Sequence, residues 1–266
     1  IDLGTLEVTD LSTVSGLSNP DNIEQVWMVR AEEFLIIQDG SSRPMIYNGS
    51  ALRLSESSGA TGGVEVPTGT VMAYNKGRLW VTLPDKHSFV AGDLAYSLTQ
   101  STKDILSFTE NTFLNGGGAF VVGEDAGDIV AMRSIAIQDT TTGQGPLQVF
   151  TTKGVISIDA PFDRDQWQNL SSPIQTISNL AAGAVNQTST INVNGDIWFR
   201  SSDGIRSFSI ARRDHGTWVN TPLSAEVSRT LNDDNVPALK FGSAALFDNR
   251  LLQLAAPYRY VDTSGN

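Results

Sequence analysis

The chain has 266 residues, of which 40% are hydrophobic and 18% charged, and its formal net charge at pH 7 is −11. It contains no cysteine, which excludes disulfides, thiolate nucleophiles and cysteine-bound zinc. No apolar run reaches about 18 residues, and no basic segment precedes an apolar one, so neither a transmembrane helix nor a signal peptide is predicted. The acidity argues against broad nucleic-acid binding, because duplex affinity depends mainly on neutralising phosphates.

The predicted elements are short apolar or alternating stretches joined by turns that contain glycine or asparagine, a pattern typical of β-hairpins. In chain order the predicted strands are Phe34–Gln38, Met45–Tyr47, Leu52–Leu54, Val71–Tyr74, Leu79–Val81, Leu147–Phe150, Val155–Ile158, Ile191–Val193, Ile197–Phe199, Phe208–Ile210, Ala244–Phe247 and Leu251–Leu254. The predicted turns are Asp39-Gly40, Asn48-Gly49, Asn75-Lys76-Gly77, Lys153-Gly154, Asn194-Gly195, Asp203-Gly204 and Asp248-Asn249.

These hairpins recur as units at irregular intervals of a few tens of residues, close to the roughly 40–50 residues of a propeller blade. We therefore predict an all-β fold, a β-propeller-like array of antiparallel hairpins that forms a single domain over residues 1–266. A β-sandwich is the alternative, since it gives a similar series of strands and turns. The first residue is not methionine, and we expect the chain to be a segment of a longer polypeptide.

Helix is predicted in one or two short insertions between strands. In Pro222–Leu231, Thr221 is a suitable N-cap, Pro222 suits the first helical position, and three apolar residues share one face. The segment Ile174–Ala184 is the weaker candidate.

The sequence offers few groups for catalysis. The two histidines, His87 and His215, lie in polar turn contexts without metal-ligand spacing. Asp159, Asp163 and Asp165 precede Trp167, and such carboxylates are compatible with a glycosidase or a calcium loop; a solvated acidic turn is the favoured interpretation. We predict no catalytic, cofactor-binding or metal-binding residue, no cofactor and no enzymatic activity.

Aromatic residues are the other candidate site. Trp80, Trp198 and Phe199 lie within strand patterns and are predicted to be core residues. Trp167 and Trp218 lie nearer turns and are the predicted ligand-contact aromatics, because an exposed ring can stack on a sugar. Trp218 ends Asp214–Trp218, which resembles a shortened Asp-box, the turn that folds blade hairpins in sialidase propellers.

Several stretches resemble structural tail proteins of tailed bacteriophages, the tubular or nozzle type of podoviruses. The resembling stretches are Met45–Arg53, Pro67–Val81, Phe89–Asp93, Phe108–Phe113, Gln144–Phe150 and Gly195–Arg200.

The resemblance implies a structural virion protein of the phage tail, made in the host cytoplasm, that forms or seals the DNA-ejection channel or anchors fibres. Its implied partners are other tail proteins and further copies in a homo-oligomeric ring, without specific nucleic-acid binding or a membrane segment. The net charge suggests an acidic channel lining along which DNA slides. The alternatives are a carbohydrate-binding, receptor-recognising propeller and a glycosidase.

Overall fold

The structure is a computed structural model that describes most of the predicted strands. The described residues are 8–11, 16–17, 25–55, 65–96, 103–107, 120–135, 144–160, 175–180, 182–209, 222–227, 231, 234–248 and 250–254. The chain divides into two compact units, residues 1–120 and 121–266. The expectation of one domain over residues 1–266 stays a prediction.

The described residues form an all-β fold in which successive strands pair antiparallel, as predicted. The strands are β1 Trp27–Ala31, β2 Phe34–Gln38, β3 Met45–Tyr47, β4 Leu52–Leu54, β5 Met72–Asn75, β6 Arg78–Thr82, β7 Ser88–Tyr96, β8 Lys103–Ser107, β9 Phe120–Val121, β10 Ile129–Ser134, β11 Leu147–Thr151, β12 Val155–Asp159, β13 Gln175–Leu180, β14 Thr190–Val193, β15 Asp196–Ser201, β16 Gly204–Ser207, β17 Ser243–Phe247 and β18 Arg250–Leu254. Short 3-10 turns span Glu124–Ala126, Ala225–Val227 and Val236–Phe241.

The strands form five sheets in sequence order. Sheet 1 contains β1-β2-β3-β4, sheet 2 contains β5-β6-β7-β8 with β9 beside β7, sheet 3 contains β10-β11-β12-β13, sheet 4 contains β14-β15-β16 and sheet 5 contains β17-β18. Sheets 1, 2 and 3 are thus up-and-down meanders, in which each strand pairs with the next along the chain.

Two tight hairpins confirm the turn chemistry read from the sequence. Asn194 and Gly195 join β14 to β15 with φ angles of 49° and 83°. Lys76 and Gly77 join β5 to β6 with φ angles of 50° and 75°. Two central residues with positive φ define the type I′ turn, whose twist matches that of the paired strands.

We expect Gly195→Ala to lower the free energy of unfolding by roughly 1–2 kcal/mol, because a Cβ disfavours the left-handed backbone that Gly195 adopts. Asn194→Gly is the matched control, since glycine accepts positive φ without strain. Urea titration of both variants measures the difference. Equal stability of Gly195→Ala and the unmodified chain would contradict the turn assignment.

The prediction of a helix over Ile174–Ala184 is wrong, because Gln175–Leu180 is strand β13. It pairs antiparallel with β12, from Asp159 opposite Gln175 to Val155 opposite Leu180. The pairing satisfies its backbone groups within sheet 3, and the β-branched Thr176 and Ile177 suit a strand.

Pro222–Val227 does not form the predicted α-helix, because it contains only the 3-10 turn Ala225–Val227. Leu231 at the other end of the predicted helix is helical, and residues 228–230 lie outside the described part of the chain. The Leu223 amide donates to the Ile205 carbonyl at 2.9 Å, and the Ile205 amide donates to the Ser224 hydroxyl at 2.9 Å. The segment therefore covers the open edge of β16. Gly204 permits this approach, because a Cβ there would lie 2.7 Å from Pro222 Cβ.

Each unit has a core between the faces of two consecutive sheets. In the first unit, Phe34, Ile36 and Ile46 of sheet 1 pack with Leu79 and Val81 of sheet 2. In the second unit, the corresponding core lies between sheets 3 and 4 and consists of Ala131, Phe150, Val155, Ala182, Ala184, Ile197, Phe199 and Phe208. Each of these two cores thus joins consecutive sheets by apolar burial.

The first strands of consecutive sheets are neighbours within each unit. β1 contacts β5 in the first unit, and β14 contacts β17 in the second. Between β1 and β5 the Tyr74 hydroxyl donates to Glu32 Oε1 at 2.8 Å, and burial together with the Glu32 carboxylate raises the pKa of Tyr74 well above its usual range.

Within the units, the linkers that enter sheets 2, 4 and 5 are fixed at or near the end of the second strand of the preceding sheet. Gln38, the last residue of β2, accepts the Gly69 amide through its side-chain oxygen at 2.8 Å. Thr151, the last residue of β11, accepts the Ala184 amide through its carbonyl at 3.0 Å. In β15, Arg200 forms an ion pair with Asp234 at 2.8 Å. The same junction therefore occurs three times with three different chemistries.

Candidate interaction surface

One face of sheet 1 presents a row of apolar side chains that crosses all four strands. The residues Met28, Ile37, Met45 and Leu54 stand opposite one another in consecutive strands. Cross-strand partners share a face, and alternate residues along a strand point to opposite faces. Since Ile36 and Ile46 face sheet 2, this row lies on the opposite face. We call Met28, Leu35, Ile37, Met45 and Leu54 the head face.

The head face is more exposed than the equivalent faces of other sheets. The second strands of sheets 2 and 3, β6 and β11, are buried at every residue. In β2 only alternate residues are buried, and Leu35 and Ile37 are half-buried. Met28 is 63% exposed. Met45 on the same face is only 6% exposed, and Leu54 is half-buried. The head face is therefore open mainly at Met28.

Sheet 5 presents a second exposed apolar surface. Ala244 lines a narrow cleft with Ile191, Trp198 and Ile205 of sheet 4, so this side of β17 faces the preceding sheet. By alternation, Ala245 and Phe247 point to the other side. Phe247 is 70% exposed, and Ala245 is also exposed. We call Ala245 and Phe247 the tail face.

A buried ion pair fixes the segment that leads toward sheet 5. The side chains of Arg200 and Asp234 are 2% and 9% exposed, and Arg200 Nη2 also donates to the Leu231 carbonyl at 3.4 Å. The adjoining cleft has room for about one water molecule, well below the size of a small-molecule site. The arrangement is therefore suited to holding backbone segments together.

A buried asparagine supports the same connection. Asn186 Nδ2 donates to the carbonyls of Lys240 and Gly242, each at 2.6 Å, and Asn186 Oδ1 accepts the Ser189 amide at 2.7 Å. The Ala244 amide donates to the Thr188 carbonyl at 2.9 Å. The start of β17, and with it the tail face, is thereby fixed to sheet 4.

The second hairpin of each of the first four sheets is organised by a short polar side chain. Asp39 Oδ1 accepts the amides of Ser41 and Ser42, and Asp85 Oδ1 those of His87 and Ser88. Burial acts to raise the pKa of Asp85, but the hydrogen bonds from Ser88 and His87 lower it below its usual range.

In sheets 3 and 4 the second hairpin is organised by a hydroxyl group on the last residue of the second strand. Thr151 Oγ1 accepts the amides of Lys153 and Gly154. The Ser201 hydroxyl donates to Asp203 Oδ1 at 2.6 Å, and Arg206 Nη2 donates to Asp203 Oδ2 at 2.6 Å. Burial acts to raise the pKa of Asp203, but the hydrogen bonds from Ser201 and Arg206, together with the Arg206 charge, lower it below its usual range.

We expect the interaction of Asp203 to stabilise the fold by less than about 1 kcal/mol, because its side chain is 55% exposed. A lowered folded-state pKa means that this stability is present above the ordinary carboxyl pKa and is lost as the pH falls through the folded value. Thermal unfolding of Asp203→Asn should therefore show a lower midpoint at pH 7, and the deficit should shrink as the pH falls below the ordinary carboxyl pKa. A deficit that is constant with pH would contradict this origin.

The described residues include few of the candidate sites predicted from the sequence. Trp167, Trp218, Asp163, Asp165 and His215 lie outside them. Asp159 ends β12, and His87 lies in the turn before β7. Trp80 and Phe199 are core residues, each 1% exposed, as predicted, whereas Trp198 is half-buried in the cleft beside β17. The ligand-contact role of Trp167 and Trp218 stays a prediction.

The sequence matches no model of a known protein family and no curated protein.

No three histidine, aspartate or glutamate side chains in the described part of the chain are grouped closely enough to hold a metal ion. No helix among those residues is long and apolar enough to cross a membrane.

Neither the head face nor the tail face was predicted from the sequence. A signal for the head face exists in the uninterrupted apolar run Phe34-Leu35-Ile36-Ile37, which predicts a strand covered on both sides. For the tail face, Ala244–Phe247 is likewise uninterrupted. Sequence alone does not distinguish a covered apolar face from an exposed one.

Proposed function

We propose that the chain is a structural module of a tailed-bacteriophage virion, built from propeller-type blades and working in the tail by shape and contact. In this role it forms or seals part of the DNA-ejection channel or anchors fibres. The proposal of propeller-type blades is supported by the consecutive antiparallel sheets, which are stacked face to face within each unit.

Three features support the propeller-type architecture. Sheets 1 and 3 are four-stranded meanders, the composition of a propeller blade, and sheet 2 contains a four-strand meander with β9 as a fifth strand beside β7. Neighbouring sheets bury apolar residues against each other, as between sheets 3 and 4. First strands lie next to first strands, β1 beside β5 and β14 beside β17, as radial stacking requires. Such stacking makes a stiff body, because each blade supports its neighbours.

The virion part of the proposal rests on the sequence resemblance to phage tail proteins. Of the resembling stretches, Met45–Arg53 includes β3 and reaches into β4, Pro67–Val81 includes β5 and most of β6, and Gly195–Arg200 covers most of β15. The resemblance therefore involves strands and hairpins that define the blades. The proposed placement of the chain in a phage tail depends on this sequence resemblance.

The distribution of charge changes one detail of the expected role. The first strands would line the axis of a propeller, and β1, β5, β10, β14 and β17 contain Arg30 and Arg133 but no aspartate or glutamate. The acidic channel lining expected from the net charge is therefore not proposed for these first strands.

The test is to locate the chain in the particle. Virions of the phage that encodes the chain are purified and analysed by mass spectrometry, and then labelled with gold-conjugated antibodies raised against the purified chain. We expect its peptides in virions at a fixed ratio to other tail proteins and gold at the tail. Antibody preabsorbed with the purified chain is the control.

Absence of the peptides from purified virions would overturn the proposal. Saturable binding of the purified chain to a glycan array, lost in Trp218→Ala, would favour the carbohydrate-binding alternative. Glycan turnover lost in Asp163→Asn would favour the glycosidase.

A further inference from the structure

Arg133 of β10 is a half-buried arginine at the interface between sheets 3 and 4. It lies two residues beyond the core residue Ala131, so both side chains are on the face of sheet 3 that packs against sheet 4. Arg133 Nε donates to Thr190 Oγ1 of β14 at 3.0 Å, and Nη2 donates to the Gln187 carbonyl at 3.4 Å. Both acceptors are neutral, so neither of them compensates the positive charge of Arg133.

Three other arginines that the structure describes form ion pairs with carboxylates. These pairs are Arg53 with Glu65 and Arg206 with Asp203, each at 2.6 Å, and Arg200 with Asp234 at 2.8 Å. Arg133 has no carboxylate partner among the described residues, and burial lowers the pKa of Arg133 below its usual range. In this part of the chain the guanidinium is thus partly desolvated and lacks an opposite charge, although the sequence has 29 acidic residues against 18 basic ones.

The neighbours of Arg133 hold its guanidinium in one orientation. Thr190 is 1% exposed, and its hydroxyl donates to the Gln187 carbonyl at 2.7 Å, which leaves Oγ1 free to accept from Arg133. Gln187 Oε1 accepts the Met132 amide at 2.7 Å, and Gln187 Nε2 donates to the Met132 carbonyl at 3.0 Å. Arg133 Nη1 has no acceptor among the described residues and is not buried. The remaining donors of Arg133 are therefore fixed in direction and accessible.

We propose that Arg133 binds a small oxyanion through Nη1 and the second N–H group of Nη2. The Nε side of the guanidinium is occupied by Thr190 and Gln187, so the edge formed by Nη1 and Nη2 is the one that is left. Two parallel N–H groups on one edge of a guanidinium match two oxygens of a phosphate, a sulfate or a carboxylate. A bound oxyanion also supplies the negative charge that the surroundings of Arg133 lack.

A small free anion suits this site better than a nucleic acid does. The strands β10, β14 and β17 contain no arginine or lysine other than Arg133, and duplex affinity requires several cations that neutralise several phosphates. The same strands contain no aspartate or glutamate, so no carboxylate on them repels a bound anion. Such a site is independent of the proposed role in a phage tail.

The direct test is a titration of the purified chain with inorganic phosphate, with sodium chloride adjusted to keep the ionic strength constant. A nitrogen–proton correlation NMR spectrum records the arginine Nε–H signals. The signal of Arg133 is identified by its loss in Arg133→Lys, which keeps the positive charge. We expect this signal to shift with phosphate and to reach a plateau, whereas the signal of the exposed Arg30 should stay in place.

Thermal unfolding gives a second measurement. Phosphate at ten times its dissociation constant should raise the midpoint of the unmodified chain by roughly 3–6 °C more than that of Arg133→Gln. Arg30→Gln is the matched control, because it removes the same charge from an exposed position and should keep the full rise. The general stabilisation of proteins by phosphate is common to all three chains and cancels in the comparison.

Three outcomes would overturn the proposed site. The first is an Arg133 signal that does not shift, or that shifts in proportion to phosphate without a plateau. The second is an equal rise of the midpoint in Arg133→Gln and the unmodified chain. The third is a shift of the Arg133 signal with a DNA oligonucleotide but not with inorganic phosphate, which would indicate a nucleic-acid contact instead.

Discussion

Asp234→Ala is expected to lower the free energy of unfolding of residues 121–266 by roughly 3–5 kcal/mol, a large part of the stability of an ordinary domain. The substitution leaves the Arg200 guanidinium, which is 2% exposed, without its carboxylate partner. A buried charge without a partner cannot recover its lost hydration, so the cost exceeds the net contribution of the intact pair.

The experiment compares Asp234→Ala with Asp125→Ala, which removes an exposed carboxylate from the same unit. Urea titration followed by far-ultraviolet circular dichroism should show a change below about 0.5 kcal/mol for the control. The double variant Arg200→Met with Asp234→Leu should recover much of the loss, because apolar residues of similar volume often replace a buried pair at little cost. Equal stability of the two alanine variants would show that Asp234 does not fix the linker as described.

Gly183→Ala is expected to cost about 3 kcal/mol, at the upper end of the range for overpacking. A Cβ at Gly183 would overlap the carbonyl group of Thr152 and lie 2.5 Å from the Lys153 nitrogen. These are backbone atoms of the β11–β12 turn, so a side-chain rotation cannot relieve the overlap. Either the turn or the linker between sheets 3 and 4 must shift, and the bond from the Ala184 amide to Thr151 is lost.

Gly123→Ala is the matched control for this change. Its φ is −59°, and a Cβ there meets no atom within 4 Å. Alanine should be neutral there or stabilise by up to about 1 kcal/mol, because it restricts the unfolded chain. Differential scanning calorimetry of both variants measures the contrast. A Gly183→Ala variant as stable as Gly123→Ala would show that the linker does not approach Thr152 closely.

Much of the all-β fold was predictable because its turns are specified locally. Asn194-Gly195 required only the positive-φ preference of its two residues, and in Lys76-Gly77 the glycine has that preference. The strands on either side follow from alternation or apolar runs. Strand β13 was mispredicted because Gln175–Leu180 has a mixed pattern. Its pairing with β12 is a long-range interaction that local preference does not contain.

The candidate surface was less predictable for a different physical reason. Leu35 and Ile36 are adjacent and equally apolar, yet one is half-buried and the other 0% exposed, because only one side of sheet 1 is packed against sheet 2. The linker junctions were also missed. Gln38 and Thr151 end the second strands of sheets 1 and 3, and Arg200 is the last but one residue of the second strand of sheet 4, but no shared residue type marks these places in the sequence.

These junctions have a consequence for how the protein loses its structure. A linker fixed to the sheet before it cannot stay in place once that sheet opens, because its partner at the strand end is lost. Opening of sheet 3 at Thr151 thus releases the Ala184 amide and the segment that leads into sheet 4. Neighbouring sheets within a unit should consequently exchange their amide hydrogens as one cooperative group, although each sheet is closed by its own hairpins.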